Sequence, residues 1–140
     1  MTFQFRVLAP IHFVFEHLAD MQQFALVHPV IQRIEKVEPN VFLVHETLPL
    51  TFFTFSFTYP VQIIELVENK KVYLRATVFQ FVTIDMKFYL TENGTRTGIE
   101  EQIHIQTWLP IRRIMHSIFK KMHHQLMQNI EEAYQLKISV

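Results

Sequence analysis

The sequence predicts an α+β fold in which one curved antiparallel sheet closes around a long C-terminal helix. Two patterns carry that expectation. Residues 30–107 form a run of strand-like segments joined by short turns, as neighbouring antiparallel strands do. Residues 110–136 then form a single amphipathic helical pattern. A third observation bends the sheet: no second sheet is available, so the apolar face must curve onto that helix to be buried. Such a sheet and helix often leave space between them that side chains do not fill.

Each element has its own signal. In residues 2–8, Phe3, Phe5 and Val7 share one face and Gln4 and Arg6 the other, a half-buried strand ended by Ala9-Pro10. Pro10 suits the first turn of a helix, where its missing N–H is no loss, and Ile11, Val14, Phe15 and Leu18 follow at helical spacing. Asp20 is placed to cap a second short helix over residues 21–27, closed by Pro29. Residues 30–38 and 41–48 are strands joined at the turn pair Pro39-Asn40. Residues 51–58 alternate Phe53, Phe55, Phe57 and Tyr59 against Thr54, Ser56 and Thr58. Pro60 is expected to interrupt that ladder, at a bend or an edge, before residues 61–67 resume it. Asn69-Lys70 turns the chain into residues 71–79. In residues 82–90, Val82, Ile84, Met86, Phe88 and Leu90 face in and Thr83, Asp85, Lys87 and Tyr89 face out. Asn93-Gly94, two residues that tolerate positive φ, forms the strongest hairpin signal, with residues 95–107 as the partner strand. On the terminal helix, Ile111, Met115, Ile118, Phe119, Met122, Leu126 and Ala133 fall on one face. Arg112, Arg113, His116, Lys120, His123, His124 and Glu131 fall opposite.

Composition narrows the function classes. The chain of 140 residues suits one domain spanning 1–140, and 49% hydrophobic residues with 14 Phe can build a sizeable aromatic core. A formal net charge of zero argues against a general nucleic-acid partner. The absence of cysteine excludes disulfides, thiolate catalysis and Cys-type zinc sites. No charged segment followed by an apolar one opens the chain, and the longest apolar stretches fall short of a membrane span, so the expectation is a cytoplasmic protein without stable membrane insertion. Two glycines leave no backbone cradle for phosphate, and no nucleophile elbow or dinucleotide fingerprint occurs. No cofactor is therefore expected. His116 and His123 lie two helical turns apart and no His-Glu-x-x-His occurs, so no metal site is expected either.

The order strand, two short helices, about six strands, long helix is the helix-grip order. Local residues add to it: Leu8-Ala9-Pro10-Ile11-His12-Phe13-Val14-Phe15-Glu16, then Leu18-Ala19-Asp20, His28-Pro29-Val30-Ile31, and Asn93-Gly94-Thr95 leading to Ile99-Glu100-Glu101. With these motifs the chain resembles, over essentially its whole length, the START-like (Bet v 1-like, SRPBCC) superfamily, in its polyketide cyclase/dehydrase and lipid-transport branch. That superfamily includes lipid and hormone binders, quinone-binding proteins, aromatic cyclases and co-chaperone domains. The resemblance implies the fold and a cavity, without choosing one reaction.

Particular residues stand out as a candidate site. Phe53, Phe55, Phe57, Met86 and Phe88 from the strands, with Met115, Met122 and Leu126 from the helix, are expected to line a pocket or simply to fill the core. Glu101 shares the inward register of Thr97, Ile99, Ile103 and Ile105, where an unpaired carboxylate is costly or has a raised pKa. It is a polar anchor or general acid/base, unless a register break or a nearby cation accounts for it. Asn129 falls within the helix's apolar face, facing a ligand or satisfying a strand carbonyl or buried water. Glu46 has no resolved direction, because both faces of its strand are apolar. His28 before Pro29 is expected to end a helix, and the basic surface of the last helix is expected to be a solvated face, with weak attraction to an anionic surface as the alternative. Together these expectations describe a binding or carrier protein for a small hydrophobic molecule (lipid, isoprenoid or aromatic), acting as a monomer or homodimer. The alternatives are a polyketide cyclase or dehydratase using Glu101, or a protein-interaction domain.

Overall fold

The structure, a computed structural model, describes residues 1–49 and 51–139. In chain order they form β1 (Thr2–Val7), α1 (Ile11–Ala19), α2 (Met21–Val27), β2 (Ile31–Glu38), β3 (Val41–Pro49), β4 (Thr54–Val67), β5 (Lys71–Val78), β6 (Val82–Asn93), β7 (Arg96–Gln106) and α3 (Arg112–Ile138). Among the described residues the strands make one antiparallel seven-stranded sheet in the order β1-β7-β6-β5-β4-β3-β2. The expected architecture of curved sheet and long terminal helix is therefore present.

Alternation of side chains becomes alternation of burial. Val82, Ile84, Met86, Phe88 and Leu90 of β6 are buried, and so are Thr97, Ile99, Glu101, Ile103 and Ile105 of β7. The expected cap is in place: the Asp20 carboxylate accepts hydrogen bonds from the Gln22 and Gln23 N–H groups at 2.9 and 3.2 Å, satisfying two orphan donors of α2.

Two local expectations are resolved. Pro60 leaves β4 continuous and takes the edge position, one of the two alternatives expected for it. Ile63 N–H donates to the Asn40 carbonyl on the β3 side, so by alternation the Pro60 nitrogen faces β5, where pairing begins only at Val61. No donor is needed there. In the β6–β7 hairpin only Gly94 has positive φ (65°), and Asn93 pairs with Arg96 as part of the ladder. Glycine thus takes the first central position of the turn, as in a type II′ hairpin.

From Phe119 onward α3 is fixed, and its first two turns stand off. Leu126, Met127 and Ile130 are buried, Glu131 accepts a hydrogen bond from Leu8 N–H at 2.6 Å, and α3 approaches β1, α1 and α2. Residues 112–114 and 116–117 are exposed. The first turns of α3 therefore arch over β4, β5 and β6 and leave a hollow beneath them. No described helix is long and apolar enough to cross a membrane.

Candidate functional site

The hollow is a cavity of about 290 Å³ between the concave sheet and α3. Its walls are apolar: Val44, Val61, Leu74, Ala76, Ile84 and Met86 from the strands, Met115, Ile118 and Met122 from the helix, and Met21 and Phe24 from α2. One end reaches the surface between the β3–β4 and β5–β6 connections and the start of α3, where Phe55 and Phe79 line it and are themselves exposed. Phe55, Phe57 and Tyr59 stack in series along β4, with centroids 5.3 and 5.5 Å apart, and Phe79 packs across them.

Four polar side chains border this cavity: His28, Glu46, Tyr59 and His123. The alternation of β3 puts Glu46 inside, resolving its direction; it is buried, and the Tyr59 hydroxyl donates to its Oε1 at 2.9 Å. Burial pushes the Glu46 carboxyl above its ordinary value, against the pull of the Tyr59 hydrogen bond and the charge of His123. Burial, then the neighbouring Glu46, pushes the Tyr59 phenol well above its own. His28 ends α2, as expected, its backbone N–H closing on the Phe24 carbonyl. Its Nδ1 accepts from Val30 N–H at 3.3 Å, and burial together with His123 lowers its pKa to about 3. The ring is therefore neutral near pH 7 with its hydrogen on Nε2.

His123 corrects an expectation. It belongs to the buried side of α3, not to the polar face with His116 and His124; it is 2% exposed. It sits one residue after Met122 and one turn after Phe119, at the margin of the apolar stripe, and Glu101 determines which way it turns. Nδ1 of His123 lies 2.7 Å from Oε1 and 2.6 Å from Oε2 of Glu101, which is fully buried. A single N–H faces both oxygens, and no other donor among the described residues reaches them. With Nδ1 committed to the carboxylate, Nε2 is the ring atom left for a molecule in the cavity, and it has no hydrogen-bond partner among the described residues. The rings of His28 and His123 meet edge to face at 6.2 Å. One supplies an N–H donor and the other, while neutral, a lone pair.

Of the candidate residues named from sequence, Phe55, Phe57, Met86, Met115 and Met122 border the cavity. The others do not. Phe53 precedes β4 and is 61% exposed. Phe88 and Leu126 are fully buried in the core, and Glu101 stands behind His123. Asn129 donates to the Val27 carbonyl at 2.8 Å and accepts from Gln125, so it ties the C-terminus of α2 to α3. Sequence reading missed Tyr59, His28 and His123 as cavity residues. Only Tyr59 carried a signal, the shared register with Phe55 and Phe57. Among the described residues no group of three or more His, Asp or Glu is placed to hold a metal ion.

No protein-family model matches the chain, and no curated protein is detectably similar to it in sequence. Solved structures are similar in fold. The START superfamily protein from Mycobacterium smegmatis superposes with a TM-score of 0.75 at 10% identity, over 97% of this chain and 97% of that one. Ara h 8.0201 gives 0.73 at 18% identity, over 96% and 97%. The Zhui aromatase/cyclase from Streptomyces sp. R1128 gives 0.69 at 11% identity, over 99% and 94%. At these identities the likeness establishes the fold, which is the START-like helix-grip fold that the sequence motifs implied.

Proposed function

We propose that this chain binds and carries a small, largely apolar molecule that ends in an oxygen-bearing group. The observation that carries this reading is an oily cavity of about 290 Å³ whose wall brings two imidazole rings together, those of His28 and His123. The volume lies near the lower end of small-molecule sites, which are mostly apolar with a few placed polar groups. Burying the ligand's apolar surface contributes about 25 cal/mol per Å² before association costs. A hydroxyl, carbonyl or carboxylic acid head would accept from His28 Nε2–H and engage His123 Nε2 or Glu46. Lipids, isoprenoids and aromatic polyketide-like compounds meet that description, and cytoplasmic residence of a one-domain carrier fits it. Native mass spectrometry of gently purified protein, followed by solvent extraction, is the test. A recurring apolar species that leaves on extraction is expected; protein that is always bare and takes up no apolar probe would reject the reading.

One observation favours a second reading. The Glu101–His123 pair has the arrangement of an imidazole oriented by a carboxylate, with Nε2 free to take or give a proton. The Zhui aromatase/cyclase is similar in fold, so an acid–base cyclisation or dehydration of a polyketide-like substrate is the enzymatic alternative. Under it, Glu101→Gln and His123→Gln abolish turnover of such a substrate while binding persists. Undiminished turnover in both variants would remove the pair from the chemistry.

A further inference from the structure

At the end of the sheet where the cavity opens, three neighbouring connections turn large apolar side chains outward. Phe52 is 94% exposed and Phe53 61% between β3 and β4, Phe79 and Phe81 are exposed between β5 and β6, and Trp108 is 77% exposed between β7 and α3. Single apolar residues on a surface need no explanation, but five around one opening do. Phe81 and Trp108 of two connections have ring centroids 5.8 Å apart, and Phe79 lies 6.0 Å from Phe55 at the start of β4. Backbone geometry adds an independent sign. At the opposite end of the sheet the positive-φ positions are Asn40, Asn69 and Gly94, residue types that tolerate it. Here Phe79 and Gln80 hold φ of 54° and 68°, and an aromatic residue in that region is a genuine outlier.

The charge around this rim has one sign. No Asp or Glu occurs in residues 47–64, 76–84 or 102–130, while Arg112 and Arg113 follow Trp108 closely and Lys120 and Lys121 lie farther along α3. Arg112 and Arg113 are exposed and form no salt bridge among the described residues. They occupy the first turn of α3, which has no acidic residue, at the helix end whose dipole disfavours positive charge. An anionic surface would relieve that repulsion. The apolar groups sit on separate connections rather than on one flat face. That suits immersion in a fluid interface better than the continuous area, roughly 800 Å² per partner, of a stable dimer.

We propose that this end of the molecule docks on an anionic phospholipid bilayer. The rim aromatics enter the headgroup–acyl boundary and Arg112 and Arg113 pair with lipid phosphates. The purpose of docking, loading the cavity from a bilayer, rests on the carrier reading; docking itself does not.

Trp108 is the only tryptophan in the chain, so its fluorescence reports on the rim alone. The protein is mixed with vesicles of phosphatidylcholine, with and without roughly 30% phosphatidylglycerol. A blue shift, quenching by brominated acyl chains and co-sedimentation are expected with the anionic vesicles and much less with the neutral ones. Arg112→Gln and Arg113→Gln should each weaken binding roughly fivefold, and the Phe52→Ser/Phe53→Ser double variant should lose most of it with unchanged thermal melting. Unchanged emission and no co-sedimentation would overturn the proposal. So would a shift without vesicles that grows with protein concentration as the mass doubles, which identifies a second copy as the occupant. Uptake of an apolar dye in vesicle-free buffer reads the cavity separately, so a failure of docking is distinct from a failure of the carrier reading.

Discussion

Glu101 and His123 illustrate how little a local pattern says about a buried polar residue. Each is almost fully enclosed, and each is the other's polar partner. Removing one leaves a polar group stranded in a dry interior, so Glu101→Leu or His123→Leu alone is expected to cost about 3–5 kcal/mol. The double substitution by leucines should recover much of that loss, because replacing a whole buried pair with apolar side chains is often nearly neutral. Urea unfolding of the three variants measures this, and additive losses would contradict it. His28 gives a pH signature. Its folded pKa of about 3 lies below the ordinary 6.5, so the unfolded chain binds the proton more readily. The stability contribution is fully present above about pH 6.5 and is lost as pH falls towards about 3. Between pH 7 and 4 the loss amounts to about 3 kcal/mol. Glu46, with its carboxyl raised by burial, acts oppositely: its contribution is present below the ordinary carboxylate value and declines as pH rises above it. The difference between the wild type and His28→Asn, which keeps an acceptor for Val30, isolates the histidine. An identical pH slope in the two would contradict the assignment. The inward position of Glu101 was legible from the alternation of β7. Its partner was not, since His123 lies at the margin of a helical stripe and only the three-dimensional approach of α3 to β7 decides its direction.

At the scale of elements, the sequence is most informative where one rule acts alone. Asp20 heads α2 because its carboxylate takes two N–H groups, and Asp20→Ala is expected to cost about 1 kcal/mol in thermal or urea melts. The strands β6 and β7 follow their period without exception over their buried faces. Prediction fails where neighbours override the local rule. Pro60 left a bend or an edge open from sequence, and only the missing β5 partner decides for the edge. Asn129 lies among apolar neighbours on α3, yet it serves a carbonyl of α2. The β5–β6 turn carries a cost of a different kind. Gln80 sits at φ 68°, so Gln80→Gly should raise stability by about 0.5–1 kcal/mol, relieving the left-handed backbone at some cost in unfolded-state entropy. Because that change leaves Phe79 and Phe81 in place, vesicle binding should be unaltered. A stability loss would contradict the strained reading of the turn.

At the scale of the whole molecule, the division of α3 makes the cavity. From Phe119 onward it is packed and hydrogen-bonded to β7, α2 and the β1–α1 connection, while its first two turns bridge the concave sheet without filling the space. The sequence foretold the two walls, because alternation and helical period assign faces. It could not foretell the gap, whose size depends on how far the helix stands from the strands, and that is why only some of the named aromatics and methionines reach it. The central claim is that the gap is a ligand site, and filling it is the most direct check. Ala76 is buried and lines the cavity, so Ala76→Phe places a ring where a ligand would lie, with room to accept it. Titration with an apolar, environment-sensitive dye should show saturable one-to-one uptake by the wild type, weakened roughly tenfold or more in Ala76→Phe at unchanged melting temperature. Uptake that is absent, unsaturable or indifferent to that ring would contradict it.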